Sequence, residues 1–541
     1  MSFIRAQRIV RDDSGRIVSG SATIRDSIYV KTGTKQHCKQ VLRERLGKVI
    51  WFSADKKSGI FLSPLRGLIE YNSKEDVFKD VEKDDPRLEN QDALFPPTEV
   101  HTVFGDFDLI TRFMNEIGIF NVLKIAIPDV KKRIRAISHI LHSILKDGSK
   151  ISCNNFLEKS AASYILDDIP LQSLRSDTCY FKFMGNDNMR MSFFKTFIAY
   201  MRKTNKNFGK CCYVDSTPLP NDMTDNPFNA LCSHGVGQAA IQVRLALVLD
   251  QESGLPVWYE IIPGNVLDIN TLHTIAEDLK HNLDVDIDSM VLDAGYVSKD
   301  LIVANHIGTS KTFIGRMPNK KGYPFKDLYK TVKPLLSRGK YTFIRDRHVY
   351  FGYKRKVTVF GQEVWTYVYL DKNNALQRSR DWIVENLDEY AKMKDYEKDW
   401  LDVKYGFFVL ISNIDGTPES ILDEYFGRSY IETVIKTDKE YLGLLPLSKW
   451  TMDTVRGKIL HDIISLIIYM KFRKQITESG DSISNVIGKM QSLMCFKIGS
   501  EGSEILIETP NKQVKQYYKL FGYDILSHIK IEDLRNRILG N

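Results

Sequence analysis

Tyr425, Arg428, Glu432 and Lys439 stand in the run YFGRSYIETVIKTDK, at the spacing Y-x2-R-x3-E-x6-K. At about 100° per residue, a single α-helix would set them at roughly 0°, 300°, 340° and 320°, on one narrow face. A phenol, two cations and one carboxylate make a poor core-facing stripe. They suit a phosphodiester held beside a hard cation, because Arg and Lys grip phosphate oxygens while carboxylates ligate divalent ions. Two further carboxylates end apolar runs: Asp215 in KCCYVDS and Asp293 in SMVLDAG. Each alone reads first as a turn-forming Asp. With Glu432 they offer three carboxylates, enough for two Mg²⁺ about 4 Å apart when nucleic-acid oxygens and waters complete the shells. Lys439 alone could be a solvated helix residue. Its shared face with Glu432 favours chemistry.

The elements that must position these groups are strands and one helix. KCCYVDST reads as a strand, AIQVRLALVLDQESGLPVWYEIIPGN as two strands around a turn, and TLHTIAEDLKHNL as an amphipathic helix. SMVLDAGY, KDLIVANHIG and KTFIGRMP continue as strand, helix, strand, which gives β-β-β-α-β-α-β, a mixed α/β layout. Strand-rich basic material follows over 318–404, then the buried strand YGFFVLISNID and the helix TPESILDEYFGRSYIETVIKTDKEY. Thr417 is its predicted cap and Pro418 its first turn. Gly427 inside it costs about 1 kcal/mol relative to Ala.

The 541 residues exceed one ordinary core and predict two to four domains. The expected division is a basic strand-rich module at 1–72, an acidic linker at 73–103 and a helical DNA-binding domain at 104–207, the basic module being the other candidate for that role. A first core part at 208–317, the insertion at 318–404, a second core part at 405–447 and a helical region at 448–541 complete it. Within 104–207, VKKRIRAISHILHSILKDG carries an apolar stripe and is predicted to end at Gly148. Of the net charge of +8, all lies in residues 1–70, which hold 14 Lys and Arg against 6 Asp and Glu. A basic module on a neutral body favours a polyanionic partner, although a solvated basic face explains the charge equally well. The seven cysteines are odd in number and lack a C-x-x-C pair. Cys211, Cys212, Cys232 and His234 fit no common zinc spacing, so buried structural thiols are the better reading. MSFIRAQRIVRDDSG has no apolar h-region, and ILHDIISLIIYM is short and broken by His461 and Asp462. Both point to an intracellular chain with no membrane span. No G-x4-G-K-[ST] or H-E-x-x-H motif is present.

Y-x2-R-x3-E-x6-K, preceded by YVDSTPLP, GLPVWYEIIPGNVLDINTL and VLDAGY, resembles the DDE transposases of bacterial insertion sequences, in the group named for its YREK signature. The resemblance covers roughly residues 205–475, and RERLGKVIWFSADKKSGIFLSPLRGLIEY is similar to the matching region of a longer-chain branch. It implies an RNase H-like core interrupted by a β-rich insertion. Asp215, Asp293 and Glu432 would then be catalytic ligands of two Mg²⁺, with Mn²⁺ able to substitute. Tyr425, Arg428 and Lys439 would grip transposon-end DNA, and Trp365 of the insertion would stack on a displaced base, an ordinary strand tryptophan being the commoner reading. The implied activity is cleavage of duplex DNA at terminal inverted repeats and strand transfer to target DNA, by a homodimer acting in the prokaryotic cytoplasm at the nucleoid. A metal-dependent nuclease that cuts without joining, or a non-catalytic DNA-binding descendant, are the alternatives.

Overall fold

A computed structural model of the chain describes residues 2–11, 17–32, 35–63, 66–81, 85, 87–88, 102–146, 152–166, 169–170, 173–174, 177–221, 223, 226, 228–232, 240–265, 268–304, 311–442, 444–445, 447–498 and 503–540. They fall into two compact units, 1–100 and 101–541.

The first unit is a six-stranded antiparallel sheet in chain order: β1 (Ser2–Arg11), β2 (Ile17–Thr32), β3 (Lys35–Phe52), β4 (Ser58–Ser63), β5 (Gly67–Asn72) and β6 (Val77–Asp80). Ile4, Ile24, Leu46, Val49, Phe61, Ile69 and Tyr71 form its own core. β6 corrects the expected linker. Residues 77–80 continue the sheet because the turn after Asn72 returns the chain antiparallel, Asn72 opposite Val77, and lets Phe78 pack on Tyr71 at 4.8 Å between ring centres. Polar composition concealed an edge strand that has only one covered face.

In the second unit, β7 (Thr102–Val103) precedes a run of helices, among them Gly105–Glu116, Val130–Leu145, Thr178–Met184 and Asp187–Met201. The helix expected to stop at Gly148 ends at Leu145, and Gly148 lies outside the described residues. β8 (Cys211–Pro220), β9 (Ala230–Cys232), β10 (Ala240–Asp250) and β11 (Pro256–Pro263) follow, then the helix Asp268–Leu283 and β12 (Ser289–Leu292). The helix Lys299–Ala304 leads to β13 (Thr312–Arg316). The expected strand and helix order is therefore present. β11, β10 and β8 pair antiparallel, whereas β8, β12 and β13 run parallel, as the two helical crossovers require. The four residues of β12 are all buried, which explains an uninterrupted apolar run.

The segment 318–404 differs from the expected β-rich insertion. β14 (Thr342–Arg345), β15 (His348–Val359) and β16 (Gln362–Asp371) are followed by three helices, Lys372–Glu385, Leu387–Lys392 and Asp395–Lys404. Its strands add to the central sheet through β17 (Phe407–Ser412), which pairs with β13 on one side and β16 on the other. The path reads β11-β10-β8-β12-β13-β17-β16-β15-β14. β18 (Met494–Ile498), β19 (Glu504–Ile507) and β20 (His528–Lys530) form a separate sheet with β7.

One hydrophobic core runs from Phe104 to Leu539, so the helices before β8, the central sheet and the helices after 448 are layers of one unit. Its axis is the 25-residue helix Met452–Ile476, which contains the buried His461 and Asp462. His461 is held by Ser143 and Tyr180, each at 2.8 Å, and Lys458 pairs with Asp462 at 3.0 Å. Among the described residues, no helix is long and apolar enough to cross a membrane. The helix Thr178–Met184 crosses this axis closely, because a Cβ on Gly457 would strike the Phe181 carbonyl and one on Gly185 the Asp453 carbonyl. Gly457→Ala should therefore overpack the crossing and lower stability by about 1–3 kcal/mol in urea denaturation.

Candidate functional site

β8 presents Tyr213, Asp215 and Thr217 on one face, since strand side chains alternate. Leu292 of β12 pairs with Val214 of β8, so the next step along both parallel strands sets Asp293 beside Asp215. Asp215 is largely buried and accepts the Ser216 amide at 2.8 Å. Asp293 and Glu432 are more open to solvent.

The single helix expected over 417–441 is two helices, Pro418–Gly427 and Ser429–Tyr441, with Arg428 between them. Thr417 caps the first through a reciprocal pair of bonds with Ser420, and Pro418 starts it. At Arg428 the ladder tightens: its amide reaches the Tyr425 carbonyl, and the Ile431 amide reaches the Arg428 carbonyl. The four signature residues thus do not share one continuous face. Gly427 stands at the break because a Cβ there would meet the Tyr213 hydroxyl. Its cost in helix propensity is the condition for docking on β8.

The two helices lay their polar groups along β8 in register. Gly427 meets Tyr213, Arg428 Nη1 pairs with Asp215 Oδ2, and Lys439 Nζ donates to Thr217 Oγ1 at 2.7 Å and to the Pro218 carbonyl at 3.2 Å. Arg428 Nη2 also lies 3.8 Å from Asp293 Oδ1, and the Tyr425 hydroxyl donates to that same oxygen at 3.3 Å. The guanidinium stands 5.4 Å from the Tyr425 ring centre. Its Nε is buried with no hydrogen-bond partner among the described residues. Tyr425, Arg428 and Lys439 are therefore partners of the carboxylate strands and not an exposed stripe. Glu432 is exposed, and its charge is felt at Asp215.

Asp215 has its acidity moved from 3.8 up to about 6. Desolvation is the main cause, and Asp293 and Glu432 push the same way, while Arg428 and the Ser216 amide oppose it. Burial likewise raises the Tyr425 phenol, against the pull of Arg428.

Thr217 was not foreseen as part of the site, although its two-residue spacing from Asp215 on a strand was the signal. Arg316 was also missed; it ends β13, and its charge reaches Tyr425. Trp365 lies on β16 opposite Lys356 and Ser412, with Lys354 Nζ 4.2 Å from its ring centre. The register runs from Trp365 through Ser412 and Ile314 to Val291, so three strand spacings, about 14 Å, separate it from β12. The expectation of buried thiols holds for Cys153, Cys212 and Cys495, whereas Cys38, Cys179 and Cys211 are exposed. His234 lies outside the described residues.

Among the described residues, no three His, Cys, Asp or Glu side chains are grouped closely enough to hold a metal ion as they stand. The donor chemistry fits a hard divalent cation, three carboxylates with no thiol or imidazole, but Arg428 occupies the inner side of that set.

Residues 207–468 match the family described as "Transposase DDE domain". That span includes Asp215, Asp293, Tyr425, Arg428, Glu432 and Lys439, and it supports a DDE transposase family for this part of the chain. No curated protein matches the chain. Among solved structures, the piggyBac transposase synaptic complex with hairpin DNA is similar at 10% identity and a TM-score of 0.35, covering 78% of this chain and 85% of that one.

In the metal-free protein, Asp215 should titrate near pH 6 by carboxyl-carbon NMR, and Arg428→Met should move that midpoint higher. The folded carboxyl holds its proton to higher pH than the unfolded one. This group alone therefore makes folding more favourable as pH falls from about 6 towards 3.8.

Proposed function

We propose that this chain is the transposase of an insertion sequence, of the YREK-signature group, which cleaves duplex DNA at terminal inverted repeats and joins the freed 3′ ends to target DNA. The observation that carries this reading is the convergence of Asp215 and Asp293 from neighbouring parallel strands onto one Tyr425–Arg428 pair, with Glu432 close enough to affect Asp215. The central strand order, an antiparallel trio followed by two parallel strands reached through helices, supports an RNase H-like core.

Asp215, Asp293 and Glu432 would hold divalent cations, Mg²⁺ in the first place and Mn²⁺ as a substitute. When bound, such ions supply charge stabilisation to an in-line phosphoryl transfer. Arg428 neutralises Asp215 and Asp293 in their absence and would turn its guanidinium to the scissile phosphate once the cations are bound. Tyr425 orients Asp293 through its hydroxyl. Lys439, anchored on Thr217 and Pro218, sets a positive charge two residues beyond Asp215 along β8 for the DNA backbone. Trp365, between the Lys354 and Lys356 cations, offers a stacking surface to a displaced base. The working unit is a homodimer pairing two ends in a prokaryotic cytoplasm.

With Mg²⁺, the protein should nick a duplex carrying the inverted repeats that flank its gene and join a pre-cut end to a second duplex. Glu432→Gln should retain end binding in a mobility shift and lower cleavage roughly a thousandfold, a loss of several kcal/mol of charge stabilisation. Full cleavage by that variant rejects the ligand set; cleavage without joining by the unaltered chain makes the protein a nuclease. Lys439→Ala should weaken end binding and reduce the salt dependence of log K by about one unit.

A further inference from the structure

The first unit contains a structure that the carboxylate site does not use. β1 pairs with β2 only as far as Asp26, and β4 pairs with β3 only from Lys48 onward. Beyond those points β2 and β3 continue as a two-stranded ribbon, with Ser27 opposite Gln40 and Thr32 opposite Lys35, and no third strand joins it among the described residues. Its root is fixed by Arg43, which pairs with Asp76 at 2.7 Å and donates to Ser2 Oγ at 3.2 Å.

A bare two-stranded ribbon is marginal in water, and this one exposes apolar groups as well. Ile28, Tyr29, Val30, Val41 and Leu42 are 45%, 72%, 40%, 40% and 45% exposed. Cations interleave with them. The register sets Lys39 beside Ile28 and His37 beside Val30 on one face, and Tyr29 beside Cys38 on the other. From Ile28 to Arg45 the sequence holds five Lys and Arg, and its one acidic residue, Glu44, is paired to Arg66 at 2.8 Å. Cations set among exposed apolar groups suit a polyanionic partner that also offers apolar contacts.

We propose that the β2–β3 ribbon is a DNA-binding arm that enters the major groove of duplex DNA. Charge complementarity selects a polyanion, and the dimensions select a duplex. Two strands about 4.8 Å apart, with their side chains, match a groove about 12 Å wide. The six residues Ser27–Thr32 extend about 20 Å, the rise of about six base pairs. On the face that carries Ile28, Val30, His37 and Lys39, Lys39 meets the phosphates, His37 offers a hydrogen bond to base edges, and Ile28 and Val30 offer contacts to thymine methyls. The arm contains none of the carboxylate-site residues, so its binding survives Glu432→Gln.

The test uses the full chain carrying Glu432→Gln, which removes cleavage, and a 30-base-pair duplex without any element sequence. Kd is measured by fluorescence anisotropy across a salt series. The double variant His37→Glu, Lys39→Glu should weaken binding at least tenfold and lower the slope of log K against log salt by about one per lost phosphate contact. Lys39→Gln, a milder change at an exposed position, should weaken binding and reduce the slope in the same direction, which guards against misfolding of the double variant. Unchanged affinity and slope in both variants overturn the proposal. Loss of self-association in sedimentation with DNA affinity intact, or binding of phosphatidylserine vesicles in preference to the duplex, overturns it too.

Discussion

Everything at the carboxylate site depends on the guanidinium of Arg428. Asp215 is largely buried inside β8, Asp293 stands just past the end of neighbouring β12, and Glu432 adds a third negative charge nearby. Three like charges around a desolvated position repel one another, and burial alone already pushes Asp215 towards its neutral form. Arg428 is the one cation that touches both strand-borne carboxylates among the described residues, and it does so from the break between two helices. A cation bound by the carboxylates makes that neutralisation redundant. The same arginine is then available to the phosphate whose transfer it would assist.

The position of Arg428 is in turn set by β8. Tyr213, Asp215 and Thr217 receive Gly427, Arg428 and Lys439, so strand alternation on one side and a broken helix on the other produce the match. The break supplies what a continuous helix could not. Tyr425 and Arg428 turn inward to the strands, and Glu432 remains open to solvent. A residue with any Cβ at 427 would lift this end of the helix from the sheet.

The sequence was most legible where the chemistry constrains it. The succession of strands and helices from β8 to β13, the place of Asp293 just past β12 and the Thr417 cap follow from short apolar runs, turn residues and a capping threonine. Asp215, by contrast, lies inside β8, which runs on to Pro220 instead of ending at the aspartate. The helix break at Arg428 was not legible, because Gly427 could be scored only for propensity, and its reason is a contact with Tyr213 more than 200 residues earlier. The joining of β14–β16 to the central sheet was hidden for the same reason: alternation reveals strands but not their neighbours. β6 was lost in acidic composition. The reach of β2 and β3 beyond the sheet was not legible, because a ribbon without a covered face carries no alternating pattern to read. The exposed thiols at Cys38, Cys179 and Cys211 show that a cysteine's burial depends on which face of an element it occupies.

The unbroken sheet from β11 to β14 has a geometric consequence. Neighbouring strands in a sheet rotate by roughly 20–25° per step, so the strand bearing Trp365 is turned by about 60–75° from the strand that leads to Asp293. The two lie on a saddle and not on a plane. A stiff rod laid along the β12 direction diverges from β16 almost at once, whereas one crossing the strands, or one locally bent, can meet both. The curvature of the sheet therefore selects ligands by their path as much as by their charge.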